Sequence, residues 1–383
     1  MTLQHFQHFI GGEFCDAAET FESIDLSTER PWAVVPAASA DEANQAVQAA
    51  HRALWAQEWA DLTATARGRL LVRLGDLVAE HAGRLAELET RDTGKTIRET
   101  RSQIGYVAEY YRYFGGLADK LQGAHLPVDK VDKVDKTDKV DTLQREPIGV
   151  VAAIVPWNSQ LFLSAVKLGP ALTAGCTVVL KASEDCPAPL LEFARLIETA
   201  GFPKGTVSIL TGFGEPCGRV LTSHPLVARV AFTGGPATVK TIVRNTAANL
   251  AHTTLELGGK SPVLVFADAD PDNVANAVIA GIFAASGQSC VAGSRLYVER
   301  PADEPLLNIL KAKAERIIIG DPLDVQTEMG PLATRRQRDG IETVLARSID
   351  AGATVITGGR RRISTAITLN QRSSQRRTIR CHA

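Results

Sequence analysis

IGVVAAIVPWN, residues 148–158, is the stretch on which the fold turns. Its apolar and small residues run without interruption into a Pro-Trp-Asn turn, the pattern of a strand buried on both faces of a parallel sheet. A helical stretch at 160–174 separates it from CTVVLKAS (176–183). A helix at about 187–200 precedes VSILTG (207–212), and one at about 215–222 precedes VARVAFTGG (227–235). Strand and helix alternating at this cadence predict right-handed βαβ units with helices on both faces of the sheet. Ligands of such sheets bind beyond the carboxyl ends of the strands. Here those ends carry Pro156-Trp157-Asn158, Lys181-Ala182-Ser183-Glu184, Thr211-Gly212-Phe213-Gly214 and Phe232-Thr233-Gly234-Gly235, the expected walls of one cofactor crevice.

Toward the N-terminus, 41–59, 62–90 and 96–121 carry apolar residues at helical spacing, with Asp41-Glu42 and Thr63 as expected helix openers and Gly123 as a stop. DKVDKVDKTDKVD at 129–141 is a low-complexity run whose charges neutralise each other, which predicts a solvated segment or exposed ribbon. Toward the C-terminus, LELGG near 254 is read as opening a second α/β unit. It continues through SPVLVFA, a helix at about 271–285, SGQSC, RLYVER and further helices to a last strand, ATVITGG (353–359). Residues 360–383 hold seven Arg and no acid, and are expected to form a disordered or poorly packed tail.

At 383 residues, 45% hydrophobic and 22% charged, the chain is long enough for two or three domains with cores of their own. The formal net charge of −1 gives no reason to expect nucleic acid or anionic lipid as a partner. Cysteines at 15, 176, 186, 217, 290 and 381 form no CxxC, and the His residues form no HExxH or Cys/His cluster. A disulfide framework and metal catalysis are therefore not expected. The longest apolar runs, about ten residues, fall short of the roughly 20 that span a bilayer. With no signal-like N-terminus, the cytoplasm is the expected compartment.

Cys290 lies in SGQSCVAGS, whose small residues leave backbone amides near the sulfur and room for a substrate, as a nucleophile requires. The other cysteines read as inert thiols. Glu256, between Leu255 and Leu257, is either a carboxylate bonded to helix-end amides or a partly desolvated general base. Asn158 is either a turn former or an oxyanion donor. Lys181 and Glu184 would face the crevice from a βα loop, where an acid can accept both hydroxyls of a ribose. Gly94-Lys95-Thr96 has Glu89 in place of the leading glycine of a phosphate loop, which argues against an ATP site.

PWN (156–158), KASE (181–184), FTGG (232–235), LELGGKSP (255–262) and GQSC (287–290) occur in this order and spacing. Together they resemble the aldehyde dehydrogenase superfamily, from FIGGEF (9–14) through GDPLDVQTEMGPLA (320–333) to ITGG (356–359). The resemblance implies an α/β fold with a Rossmann-type parallel-sheet cofactor domain (1–128 and 148–255). It also implies a charged oligomerisation hairpin (129–147) and an incomplete α/β catalytic domain (256–359). The implied activity is oxidation of a small-molecule aldehyde to an acid with NAD, or with NADP. Cys290 would attack the carbonyl, Asn158 and the Cys290 amide would hold the oxyanion, Glu256 would activate water, and Lys167 would relay protons. The cofactor would lie against Ile154, Pro156, Trp157, Lys181, Ser183, Glu184, Gly214, Phe232, Thr233, Gly234, Gly235, Leu257 and Gly258. Glu184 favours NAD, since a 2′-phosphate would meet a carboxylate. Family members form homodimers or homotetramers.

The pattern departs from the family in three places. Val239 and Gly235 stand where relatives often have Gly and Ser, the charged repeat is expanded, and no E-x-F-G-P segment follows residue 359. The abrupt change at 360 is what a shifted reading frame would produce. A catalytically inactive cofactor-binding remnant, a CoA-acylating semialdehyde dehydrogenase and a cofactor-free esterase are therefore the competing readings. Tyr110, Tyr111, Tyr113, Phe114, Leu161 and Phe162 suggest a pocket for a medium or large apolar aldehyde.

Overall fold

A computed structural model describes residues 3–126, 141–361 and 369–370. The N-terminal strands β1 (Gln4–His5), β2 (His8–Ile10), β3 (Glu13–Cys15), β4 (Thr20–Asp25) and β5 (Arg30–Pro36) lead into a helical block. That block is α1 (Ala40–Trp55), α2 (Gln57–Ala60), α3 (Ala64–Glu80), α4 (Ala82–Thr93) and α5 (Ile97–Leu117). Ser39 and Glu42 close a capping box on α1, and the Thr63 hydroxyl accepts from Ala66 N at the start of α3. The helix expected over 62–90 breaks at His81, whose φ/ψ of −97°/13° is not helical. α3 and α5 approach closely because Gly68 lies against Gly115: a Cβ on Gly68 would sit 2.4 Å from the Gly115 carbonyl oxygen.

β6 (Ala124–Leu126) and β7 (Asp141–Leu143) pair antiparallel, flanking the charged repeat, of which 127–140 lies outside the described residues. Then follow β8 (Val150–Ile154), α6 (Gln160–Thr173), β9 (Thr177–Lys181), α7 (Ala188–Ala200) and β10 (Val207–Leu210). The next elements are α8 (Arg219–Ser223), β11 (Val227–Gly234), α9 (Pro236–Thr246) and β12 (His252–Leu257). α8 begins later than expected because Pro216 and the extended Glu215 interrupt the helix. Every residue of β8, β9 and β10 is buried, which is why these strands read as unbroken apolar runs.

These strands form a seven-stranded sheet in the order β12-β11-β8-β9-β10-β2-β3. β8 to β12 run parallel, and the β2–β3 hairpin adds an antiparallel edge. Chain order runs one way from β8 through β9 and β10 and the other way through β11 and β12. The switch point therefore lies between β8 and β11, where a ligand crevice is expected. LELGG does not open a new unit: β12 completes this sheet, with Glu256 in register with Thr233 of β11.

The second sheet pairs β13 (Pro262–Val265) with β14 (Arg295–Val298), parallel, with α10 (Pro271–Phe283) and α11 (Arg300–Arg316) packed together on it. Its core is small, built around Val265, Ala275 and Leu306, and Leu264, Phe266 and Tyr297 remain exposed. After α12 (Arg335–Asp350), no strand forms at 353–359. Positive φ at Gly352, Gly358 and Gly359 turns the chain there instead. Within the Arg-rich tail, β15 (Arg360–Arg361) pairs with β16 (Leu369–Asn370), and 362–368 and 371–383 lie outside the described residues.

Candidate active site

The turn after α10 carries GQSC. Ala285, Ser286 and Gly287 all take positive φ (50°, 55° and 76°), a conformation that two residues with side chains hold only because the surroundings enforce it. Several hydrogen bonds supply that restraint. The Ala285 amide donates to Glu99 Oε1 (2.7 Å), Ser286 Oγ to the Gly330 carbonyl (2.9 Å), and the Ala333 amide to Gln288 Oε1 (3.0 Å). Asn158, just beyond β8, donates from Nδ2 to the Gln288 carbonyl at 2.8 Å. Its second N–H stays available beside the cysteine loop. Cys290 itself is an exposed free thiol.

On α6, the buried Lys167 donates from Nζ to Thr233 Oγ1 at 2.8 Å. Burial pushes its ammonium down to about 8, and the charge of Glu256 partly offsets that fall. Lys167, Thr233 and Glu256 thus form one cluster across α6, β11 and β12. The partial desolvation read for Glu256 is not found: on β12, at the edge of the sheet, its side chain is exposed.

At the carboxyl ends of the strands lies a cleft of about 660 Å³. Ile154, Pro156, Trp157, Lys181, Ser183, Glu184, Gly214, Phe232, Thr233, Gly234 and Gly235 all line it, whereas Leu257 and Gly258 do not. Leu257, like Glu256, is on the open edge strand and is exposed. Lys181 Nζ lies 3.6 Å from Glu184 Oε2, so the lysine and the acid of the βα loop form a pair facing the cleft. Gly235 caps α9 with no side-chain acceptor, leaving the first amides of that helix for an anion. Arg336 and Gln337, at the start of α12, also line the cleft and were missed from sequence. No local motif marks them: α12 is brought in by Arg336 pairing with Asp185 (2.8 Å) and Arg335 pairing with Glu29.

A second cavity, about 700 Å³, opens beside Asn158. Lys95, Arg98, Glu99, Gln103, Ser159 and Glu328 line it together with Tyr106, Phe162, Ala284 and Ala285. Of the residues expected to shape the substrate pocket, Phe162 lines this cavity, whereas Tyr110, Tyr111, Tyr113, Phe114 and Leu161 do not. Tyr111 is fully buried and stacked on Phe193, and Leu161 belongs to the main core. Gly94 caps α4 in the left-handed conformation and delivers Lys95 to the cavity wall, where it bonds Glu89 at 2.6 Å. That stretch holds an ion pair in place of a phosphate loop.

The aldehyde dehydrogenase family profile matches residues 14–369. The chain belongs to the aldehyde dehydrogenase family. It is 59% identical, over 357 residues, to the (Z)-2-((N-methylformamido)methylene)-5-hydroxybutyrolactone dehydrogenase of Acinetobacter baylyi, covering 93% of this chain and 72% of that one. Phenylacetaldehyde dehydrogenase of Pseudomonas fluorescens is 38% identical over 362 residues, covering 94% of this chain and 72% of that one. Among solved structures, an aldehyde dehydrogenase of Bacillus cereus in complex with NAD+ superposes with a TM-score of 0.92 at 38% identity. That match covers 96% of this chain and 74% of the other. As an aldehyde dehydrogenase, the chain is an NAD(P)-dependent oxidoreductase that oxidises an aldehyde. The cleft fits that cofactor: unpartnered helix amides suit the pyrophosphate, and the Lys181–Glu184 pair suits a ribose.

Proposed function

We propose that Cys290 is the nucleophile and that the chain oxidises a small polar aldehyde through a thioester on its sulfur. The reading is carried by the Asn158 amide, fixed on the Gln288 carbonyl two residues before the cysteine, at the wall of the second cavity. The thiolate adds to the carbonyl carbon, and the resulting oxyanion takes hydrogen bonds from Asn158 and the Cys290 amide. NAD(P)+ bound in the cleft supplies the acceptor for the hydride that leaves this carbon. Glu256 then takes a proton from the water that attacks the thioester, and neutral Lys167 passes protons onward. Glu256 is open to water, which suits a base that must recruit one. Five free cysteines among the described residues suit a reducing compartment.

Lys167 fixes a pH dependence. Its ammonium is pushed down to about 8, so kcat is expected to rise as pH passes through 8 and the amine becomes able to accept a proton. A pH-rate profile of Lys167→Met should lose that limb; an unchanged limb would remove Lys167 from the relay.

The cavity bears on the substrate. A 5-hydroxybutyrolactone is the ring-closed form of an aldehyde that carries a carboxylate, and Arg98 lines the cavity. One Arg98 Nη donates to the Thr327 carbonyl at 2.9 Å, which orients the rest of the fork. Carboxylate-bearing aldehydes should therefore be oxidised in preference to phenylacetaldehyde or long alkanals. Arg98→Met should lower kcat/KM for the carboxylated substrate about 10- to 100-fold, the worth of one charged hydrogen bond, and spare the uncharged ones. Following NADH formation with such a panel tests this, and a preference for apolar aldehydes would overturn it.

A further inference from the structure

We infer that Lys95, clamped by Glu89 and Gln103, is a positioning residue that fixes the Ser159 hydroxyl on the Asn158 carbonyl and so sets the Asn158 amide against the cysteine loop. This rests on the reading of Asn158 as an oxyanion donor, and the test below separates the two.

Lys95 and Glu89 are almost wholly buried, at 4% and 0% exposure. Lys95 Nζ donates to Glu89 Oε1 at 2.6 Å, to Gln103 Oε1 at 2.5 Å and to Ser159 Oγ at 3.2 Å, which uses all three of its protons. Gln103 turns its other end to the same serine, Nε2 to Oγ at 3.3 Å. Ser159 Oγ thus accepts from two donors and gives its own proton to the Asn158 carbonyl at 2.7 Å. A hydroxyl can rotate, but this one has every site committed and a single remaining orientation. Asn158 is held by its backbone carbonyl from this side and by its side-chain amide on Gln288 from the other.

The arrangement is costly as a stabilising device. A buried ion pair gains little over an apolar pair of similar volume, and Glu89 Oε2 is buried with no hydrogen-bond partner. What the pair does supply is a fixed ammonium, delivered from the α4–α5 junction to a residue 64 positions away in sequence. Lys95, Gln103, Asn158 and Ser159 all line the same cavity, so the clamp acts at the wall where a carbonyl must be placed.

Ser159→Ala removes the last link and leaves no unpaired charge. The paired variant Glu89→Leu/Lys95→Met removes the source without stranding either ion. In protein labelled at asparagine side-chain amides, the Asn158 resonance, assigned by its loss in Asn158→Ala, should shift and exchange its protons faster in both variants. In turnover, each variant should lower kcat about 10- to 100-fold, with KM and cofactor affinity held. Neither should cost anything further in an Asn158→Ala background, because the loss acts through that amide. If the paired variant does not fold, Ser159→Ala decides alone. An unmoved Asn158 resonance, or losses that multiply in the Asn158→Ala background, would overturn the inference. A moved resonance with unchanged kcat in Ser159→Ala and in Asn158→Ala would uphold the positioning and overturn the oxyanion role instead.

Discussion

Cys290→Ala will stop NADH formation, lowering kcat by about 10⁴-fold or more, while the protein still binds NAD+. No other described thiol can take over. Burial pushes Cys176 and Cys186 up and Cys217 up to about 11, so none of the three offers a thiolate near neutral pH. Cys15, also raised, stands on the β2–β3 edge hairpin, outside the residues that line either cavity. NADH absorbance with wild-type and variant protein, beside a cofactor titration of each, checks the expectation. Residual turnover above about 0.1% of wild type would contradict it.

Glu256→Gln should separate the two halves of the reaction. Thioester formation needs the thiol, the oxyanion donors and the cofactor, so a rapid burst of one NADH per active site should survive. Hydrolysis needs a base for water, so the steady rate after the burst should fall about 10²- to 10⁴-fold. Stopped-flow mixing resolves both phases. Equal loss of burst and steady rate would place Glu256 before hydride release, as a base for Cys290.

The sheet was legible in the sequence because a strand buried on both faces has no polar alternation to confuse it. VVAAI, TVVLK and VSIL are buried throughout, and the turns that follow them line the cofactor cleft. Edge and centre were not legible. Leu255-Glu256-Leu257 has the composition of an inner strand, and only the fold shows β12 at the sheet's edge with Glu256 and Leu257 exposed. Aromatic residues of a single helix divide as well: on α5, Tyr111 is in the core and Tyr106 on the cavity wall. Long-range placement was out of reach as well. Nothing near Glu89, Lys95 or Gln103 announces that they converge on Ser159, and nothing in α12 announces that Arg336 closes on Asp185.

A thioester on Cys290, made by oxidation of an aldehyde, can be trapped. Glu256→Gln, mixed with NAD+ and a carboxylate-bearing aldehyde and quenched during the slow phase, goes to peptide mass spectrometry. The peptide containing Cys290 should gain the mass of the aldehyde less two hydrogens, and this adduct should be absent when NAD+ is omitted. Continued NADH formation with Cys290 unmodified, or the adduct on another residue, would contradict it.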